Sequence, residues 1–241
     1  MNLQAGHTVK AFDQEMSDIR GMISDMGARS EAAVEAAMKA LRANDTESAR
    51  AVVAGDKAID ELETAVERRV VQTIALRAPM ADDLRDLVAA LKMSGVIERI
   101  GDYAKNIAKR VGALEGHGFL DANEQLFRMA DIGTEMVRMA MEAFAKRDVD
   151  MARAVCIRDD EVDQIHKDLF VDFIAHVAKH PTDATEIAHL LSISKNLERI
   201  GDHATNVAEM VHFAATGFYY HDDDSQDEDN RSAENADGGD R

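Results

Sequence analysis

The pentapeptide Glu98-Arg99-Ile100-Gly101-Asp102 returns, unchanged, as Glu198-Arg199-Ile200-Gly201-Asp202, a hundred positions later. The match continues through Ala104 and Asn106 against Ala204 and Asn206. Local composition does not produce five identical residues and two spaced matches at one offset, so the chain is an internal duplication whose halves share one fold. Both copies sit in segments of helical period. Met93, Ile97, Ile100, Ala104, Ile107 and Val111 step by four then three, as do Ile193, Leu197, Ile200, Ala204, Val207 and Val211. At about 100° per residue, Glu98, Asp102 and Asn106 lie about 140° or more from the centre of that apolar stripe. The carboxylates therefore face solvent or a groove shared with another helix.

The rest of the chain reads as helices around these two. Two prolines, no tryptophan and an abundance of Ala, Glu, Leu, Met and Arg favour an all-α protein. No stretch alternates as a strand would. After a loose start over residues 1–8, the pattern predicts a first helix over residues 9–43, broken only by tolerated glycines, then a capped turn at Asn44-Asp45-Thr46. A second helix is expected over residues 47–77, and a third from Asp82 or Asp83 to about residue 111, after a break at Ala78-Pro79-Met80. Three glycines in residues 112–118 mark the boundary between halves. The second half repeats the plan with helices over residues 122–145, 149–178 and 183–215. Long helices joined by short turns lie antiparallel on a shared core. The expected architecture is two tandem three-helix bundles, over residues 8–113 and 120–217, followed by an acidic disordered tail over residues 218–241.

Charge narrows the function. The net charge of −18 opposes contact with nucleic-acid phosphates. Residues 222–241 hold nine Asp/Glu and two Arg, which leaves −11 on the remainder, so the body is acidic as well. Cys156, the one cysteine, lies in an apolar run and suits a structural thiol in a reducing compartment. No basic-then-apolar leader opens the chain and no apolar run approaches about 18 residues. A cytoplasmic location is expected.

The spacing of acidic residues is the strongest chemical signal. Asp56 and Asp60 recur as Asp159 and Asp163 at an offset of 103. From a turn near residue 80, Glu98 is 18 residues up one helix and Asp60 is 20 down the other, within about 3 Å in height at about 1.5 Å per residue. From Pro181, Glu198 and Asp163 are 17 and 18 residues away, and Asp202 and Asp159 are 21 and 22. Each half thus sets a D-x-x-x-D pair level with an E-x-x-x-D pair. Like charges at i and i+4 repel, and two facing pairs compound the cost unless a cation compensates. Such an oxygen-rich cluster suits magnesium, manganese, calcium or iron, with Glu63 or His166 and the Asn106 and Asn206 amides in reach. The alternative is a solvated acidic face.

Arg99 and Arg199 read as salt-bridge partners of adjacent carboxylates, and Gly101 and Gly201 as points of close helix approach. The methionines at helical spacing, Met16, Met22, Met26, Met38, Met129, Met136 and Met141, read as core, and His203 and His212 as surface or packing residues. A di-iron oxidase would require Glu-x-x-His motifs on separate helices. Glu186 with His189 and Glu209 with His212 share one helix, 23 residues and about 35 Å apart.

The doubled E-R-I-G-D helices, the D-x-x-x-D helices before them and the plan of six helices in two threes resemble the PhoU family, accessory regulators of bacterial phosphate import. The resemblance spans about residues 8–217 and excludes the acidic tail. It implies a cytoplasmic, non-enzymatic adaptor, often a homodimer. Such an adaptor would contact the ATPase subunit of the phosphate ABC transporter and a phosphate-sensing histidine kinase, repressing the starvation response when phosphate is plentiful. It also implies multinuclear clusters of iron, zinc, manganese or magnesium on the carboxylate motifs, here Asp56, Asp60, Glu98 and Asp102, then Asp159, Asp163, Glu198 and Asp202. His166 stands where an acidic residue is more usual.

Overall fold

The computed structural model describes residues 3–114 and 124–220, and every element of regular structure in them is helical. In the first half, α1 (Leu3–Ala43), α2 (Thr46–Gly55), α3 (Lys57–Arg77) and α4 (Asp82–Ala108) follow one another. In the second come α5 (Glu124–Lys146), α6 (Val149–Lys179) and α7 (Ala184–Thr216). The helix expected over residues 47–77 is interrupted at Asp56, the difference between seven helices and six rods. Asp56 keeps helical dihedrals (φ −54°, ψ −37°). Only the bonding changes: the Asp56 carbonyl is shared, accepting from Ile59 N at 2.8 Å in the tighter i+3 pattern and from Asp60 N at 3.3 Å.

Other boundaries move by less than two turns. α1 begins at Leu3, within the expected loose start, and α4 ends at Ala108, with a 3-10 turn over Val111–Ala113. The 3-10 turn Pro181–Asp183 precedes α7. Residues 115–123 of the linker and residues 221–241 of the expected tail lie outside the described residues. Phe218, Tyr219 and Tyr220 are described, and the aromatic pair folds back. Tyr219 stacks on Phe213, its hydroxyl accepts from Lys92 at 2.8 Å, and the Tyr220 hydroxyl accepts from Arg153 at 2.9 Å.

The duplication is visible down to its caps. Asp45 accepts from Glu47 N and Ser48 N at 3.0 Å, and Asp148, 103 positions on, accepts from Met151 N at 2.9 Å. Before each cap the chain turns left-handed, at Asn44 (φ 52°) and Arg147 (φ 55°). The N–H after each bonds back to the preceding helix, Asp45 N to Ala40 O at 2.9 Å and Asp148 N to Ala143 O at 3.0 Å, closing the helix ends.

Within each half three rods lie against one another, and α4 packs along α7 while α1 packs along α5. Tyr103 and His203, equivalent in the repeat, meet edge to face at 5.2 Å, which places the pseudo-twofold axis between the two signature helices. The apolar stripes of α4 and α7 are fully buried. Each buried isoleucine contributes about 1.5–3 kcal/mol relative to exposure. Met16, Met26, Met38, Met129 and Met136 are buried in the same core, and Met22 and Met141 pack against it. Asp86 ties the halves together, accepting from Arg20 at 2.5 Å in the first and from Arg147, in the α5–α6 turn, of the second. Burial pushes the Cys156 thiol up to about 11, so it remains a protonated packing group. Among the described residues no helix is long and apolar enough to cross a membrane.

Two glycines of α1 separate propensity from packing. A Cβ on Gly21 would meet nothing within 4 Å, whereas one on Gly27 would lie 2.5–2.6 Å from three atoms of Met141. Gly21→Ala should therefore raise unfolding stability by about 0.5–1 kcal/mol through helix propensity. Gly27→Ala should lower it by about 1–2 kcal/mol, because overpacking outweighs the same gain. Urea denaturation of the two variants checks both signs.

Candidate metal centre

The signature glycines bring the acidic helices together. A Cβ on Gly101 would sit 2.8 Å from Ile59 Cδ1 and 3.5 Å from Asp56 Oδ1. One on Gly201 would sit 2.8 Å from Asp159 Oδ1 and 3.4 Å from Val162 Cγ1. The bare Cα of each signature thus receives the D-x-x-x-D helix, as the close-approach reading expects. The carboxylates of facing helices are pressed into one groove.

In the second half Asp163, Glu198 and Asp202 each direct one carboxylate oxygen to within 4.8 Å of the others. Among the described residues this is the one group of three or more His, Cys, Asp or Glu side chains so arranged. Asp159 lies beside it against Gly201. Burial, then the charges of Asp202 and Asp163, pushes its carboxyl up to about 6. Asp159 Oδ1 and Glu198 Oε2 are buried and make no hydrogen bond with any described residue. Lysines touch the rim singly, Lys195 on Glu198 at 2.5 Å and Lys167 on Asp163 at 3.5 Å. Arg199 lies 3.5 Å from Asp202 and 3.9 Å from Glu198, the salt-bridging role expected of it.

The donor set fits a hard cation. Magnesium or calcium takes carboxylate oxygens at about 2.0–2.6 Å, so one ion spans oxygens up to about twice that far apart. Orphaned buried carboxylate oxygens are the atoms that such an ion would satisfy. Asp163, Glu198 and Asp202 would hold it, with Asp159 adjacent. His166, in place of Glu63, turns toward α7, its Nδ1 3.2 Å from Ser194 Oγ, and burial lowers its pKa.

The first half holds the same residues differently. Lys105 donates to Asp56 Oδ2 and, at 2.6 Å, to Asp102 Oδ1. Asp60 and Glu98 share the neighbourhood. Burial, then Asp102, Glu63 and Asp60, pushes Glu98 up to about 7, while burial and Asp56 raise Asp60. Glu63 lies over Gly95, whose Cβ would be 3.3 Å from its Oε1. Sequence reasoning missed Lys105. The signal was present, since Lys105 follows Asp102 by one helical turn while Thr205 holds the equivalent position.

The Glu-x-x-His pairs do not meet. His189 Nδ1 contacts Arg110 Nη1 at 3.1 Å, and His212 is buried against the segment that follows α7, its Nδ1 3.0 Å from the Phe218 carbonyl. His203 is engaged with Tyr103 and with the Arg199 carbonyl.

The raised carboxyls fix the pH dependence of metal-free protein. A carboxyl whose folded pKa lies above its unfolded one binds its proton more tightly when folded. Its stabilising contribution is complete below the unfolded value and lost as pH rises through the folded one. For Asp159 that window runs from 3.8 to about 6, and for Glu98 from 4.5 to about 7. The Tm of metal-free Asp159→Asn relative to the parent should therefore rise as pH increases through that window, read by differential scanning calorimetry. A difference independent of pH would contradict the raised Asp159 carboxyl, whether burial or its acidic neighbours raise it.

Comparison with known proteins agrees with this architecture. The PhoU domain matches twice, over residues 23–111 and 126–211. A phosphate-specific transport system accessory protein PhoU homolog of Zymomonas mobilis is 46% identical over 214 residues, spanning 89% of this chain and 90% of that protein. The homolog of Caulobacter vibrioides is 40% identical over 212 residues, 88% and 92% of the two chains. The crystal structure of PhoU from Pseudomonas aeruginosa superposes with a TM-score of 0.80 at 30% identity, covering 86% of this chain and all of that one. The phosphate transport system regulatory protein PhoU from Streptococcus pneumoniae gives 0.81 at 26% identity, over 86% and 98%. With its family domain present in both halves and close relatives along most of its length, the chain belongs to the PhoU family.

Proposed function

We propose that this protein is an accessory regulator of phosphate transport, a cytoplasmic, non-enzymatic adaptor. It would contact the ATPase subunit of the phosphate ABC transporter and a phosphate-sensing histidine kinase, and would restrain uptake and starvation signalling when phosphate is plentiful. One observation carries the reading: both halves match the PhoU domain, and relatives named as phosphate transport accessory proteins align over nearly nine-tenths of the chain. A homodimer is part of the proposal, as is an association with the membrane only through partners.

Metal ions on the carboxylate motifs complete it. The proposed ligands are Asp56, Asp60, Glu98 and Asp102 in one half, and Asp159, Asp163, Glu198 and Asp202 in the other. A bound cation would supply positive charge where the helices bring like charges together. Its presence would change the charge that a partner meets on that face. The protein's own part is to hold the carboxylates in place through the close packing at Gly101 and Gly201.

The test is a pull-down of the full chain against the ATPase subunit and, separately, the kinase, with and without chelator. Retention of both partners is expected, weakened when chelator strips the metal. Retention of neither would contradict the adaptor reading. Unchanged retention in chelator would favour a metal-free helical adaptor.

A further inference from the structure

The two carboxylate clusters are copies in sequence, yet they are neutralised by different means. They diverge at one position of the signature helix, Lys105 in α4 against Thr205 in α7. The Lys105 ammonium bonds Asp56 and Asp102 together and so joins the start of α3 to α4. Both ends of this contact are shielded, with the Lys105 side chain 23% and the Asp56 side chain 7% exposed. Among the described residues of the second half, no cation bridges Asp159 and Asp202 in the same way. Thr205 Oγ1 and Asp159 Oδ1, the latter the counterpart of neutralised Asp56, are buried without a hydrogen-bond partner among the described residues. The cations nearby are exposed: Lys195 and Lys167, at 46% and 67%, touch one carboxylate each, and Arg199, at 49%, lies 3.5 Å from Asp202 and 3.9 Å from Glu198. Pairs that exposed are weak and easily exchanged.

The geometry points to an unequal pair of sites, in which Lys105 is the resident cation of the first cluster and a hard divalent ion is taken only by the second, at Asp163, Glu198 and Asp202. This inference rests on the metal reading above and narrows its ligand set to the second half, leaving Asp56, Asp60, Glu98 and Asp102 to Lys105. An ammonium group carries one positive charge and three donors, enough to serve Asp56 and Asp102 at once. A divalent ion entering that cluster would have to displace Lys105 from a shielded contact or sit beside a like charge. In the second cluster it would meet three convergent oxygens and displace only the exposed Lys195, Lys167 and Arg199. The difference is carried by one side chain. Exchanging it should therefore open the first site.

Manganese titration of metal-stripped, full-length protein decides the matter, with bound ion counted by isothermal calorimetry and by the loss of the free-ion electron paramagnetic resonance signal. The protein as it stands should bind manganese, and D163N with E198Q should lose that binding. E98Q with D102N should leave the bound manganese in place. Lys105→Gln should gain manganese beyond the parent's content, and circular dichroism should show that it remains folded. If Lys105→Gln unfolds, the two carboxylate double variants decide alone, since they keep the lysine. The inference is overturned if E98Q with D102N removes as much manganese as D163N with E198Q, or if folded Lys105→Gln gains none. Absence of manganese binding by every form would overturn the metal reading itself. Equal binding by both halves would overturn only the assignment to Lys105.

Discussion

Like-charge repulsion across a close helix contact is the constraint on which the functional face depends. Gly101 and Gly201 let α3 and α6 approach the signature helices so closely that a Cβ would collide with Ile59 or Asp159. The same approach sets acidic pairs opposite acidic pairs. Burial and mutual repulsion then hold Glu98 at about 7 and Asp159 at about 6. A buried carboxylate is costly unless paired. The apolar stripes of α4 and α7, meeting near Tyr103 and His203, supply the packing that keeps these helices in place. The fold stabilises an arrangement that its charges oppose, and a cation relieves that opposition.

Duplication lets one problem be solved twice. Caps, left-handed turns and glycine contacts recur at corresponding places in the halves, so the backbone has kept its symmetry. The side chains at the centres of the clusters have not. Lys105 closes the first with a covalently attached charge, whereas the second, with Thr205 in that place, leaves carboxylate oxygens orphaned. A fixed ammonium and an exchangeable metal ion are different devices. The first stabilises regardless of conditions, and the second responds to the supply of metal.

Much of this was legible in the residues. The repeat located the signature helices, the four-three stepping identified their buried faces, and counting from the turns set Asp163 level with Glu198 and Asp159 level with Asp202, whereas the structure gathers Asp163, Glu198 and Asp202 with Asp159 to one side. A cap was expected within Asn44-Asp45-Thr46 because short polar side chains favour that position, and Asp45 supplies it. What escaped lay in choices that pattern does not encode. The interruption at Asp56 is the sharing of one carbonyl between two donors within continuous helical dihedrals, and nothing in the hydrophobic period reports it. Tyr219 and Tyr220 were grouped with the acidic residues after them, although two aromatic rings can bury surface that the tail cannot. Lys105 lay in plain view as one of many surface-period lysines. Only a rotamer reaching back to Asp102 and across to Asp56 shows that it neutralises the cluster.

Crystals grown with manganese and measured near its absorption edge test the central claim, that these clusters require a cation and obtain it differently. The account predicts an anomalous peak among Asp163, Glu198 and Asp202, and none between Asp56 and Asp102, where Lys105 remains in place. A peak between Asp56 and Asp102 with Lys105 turned away, or no peak in either half, would contradict it.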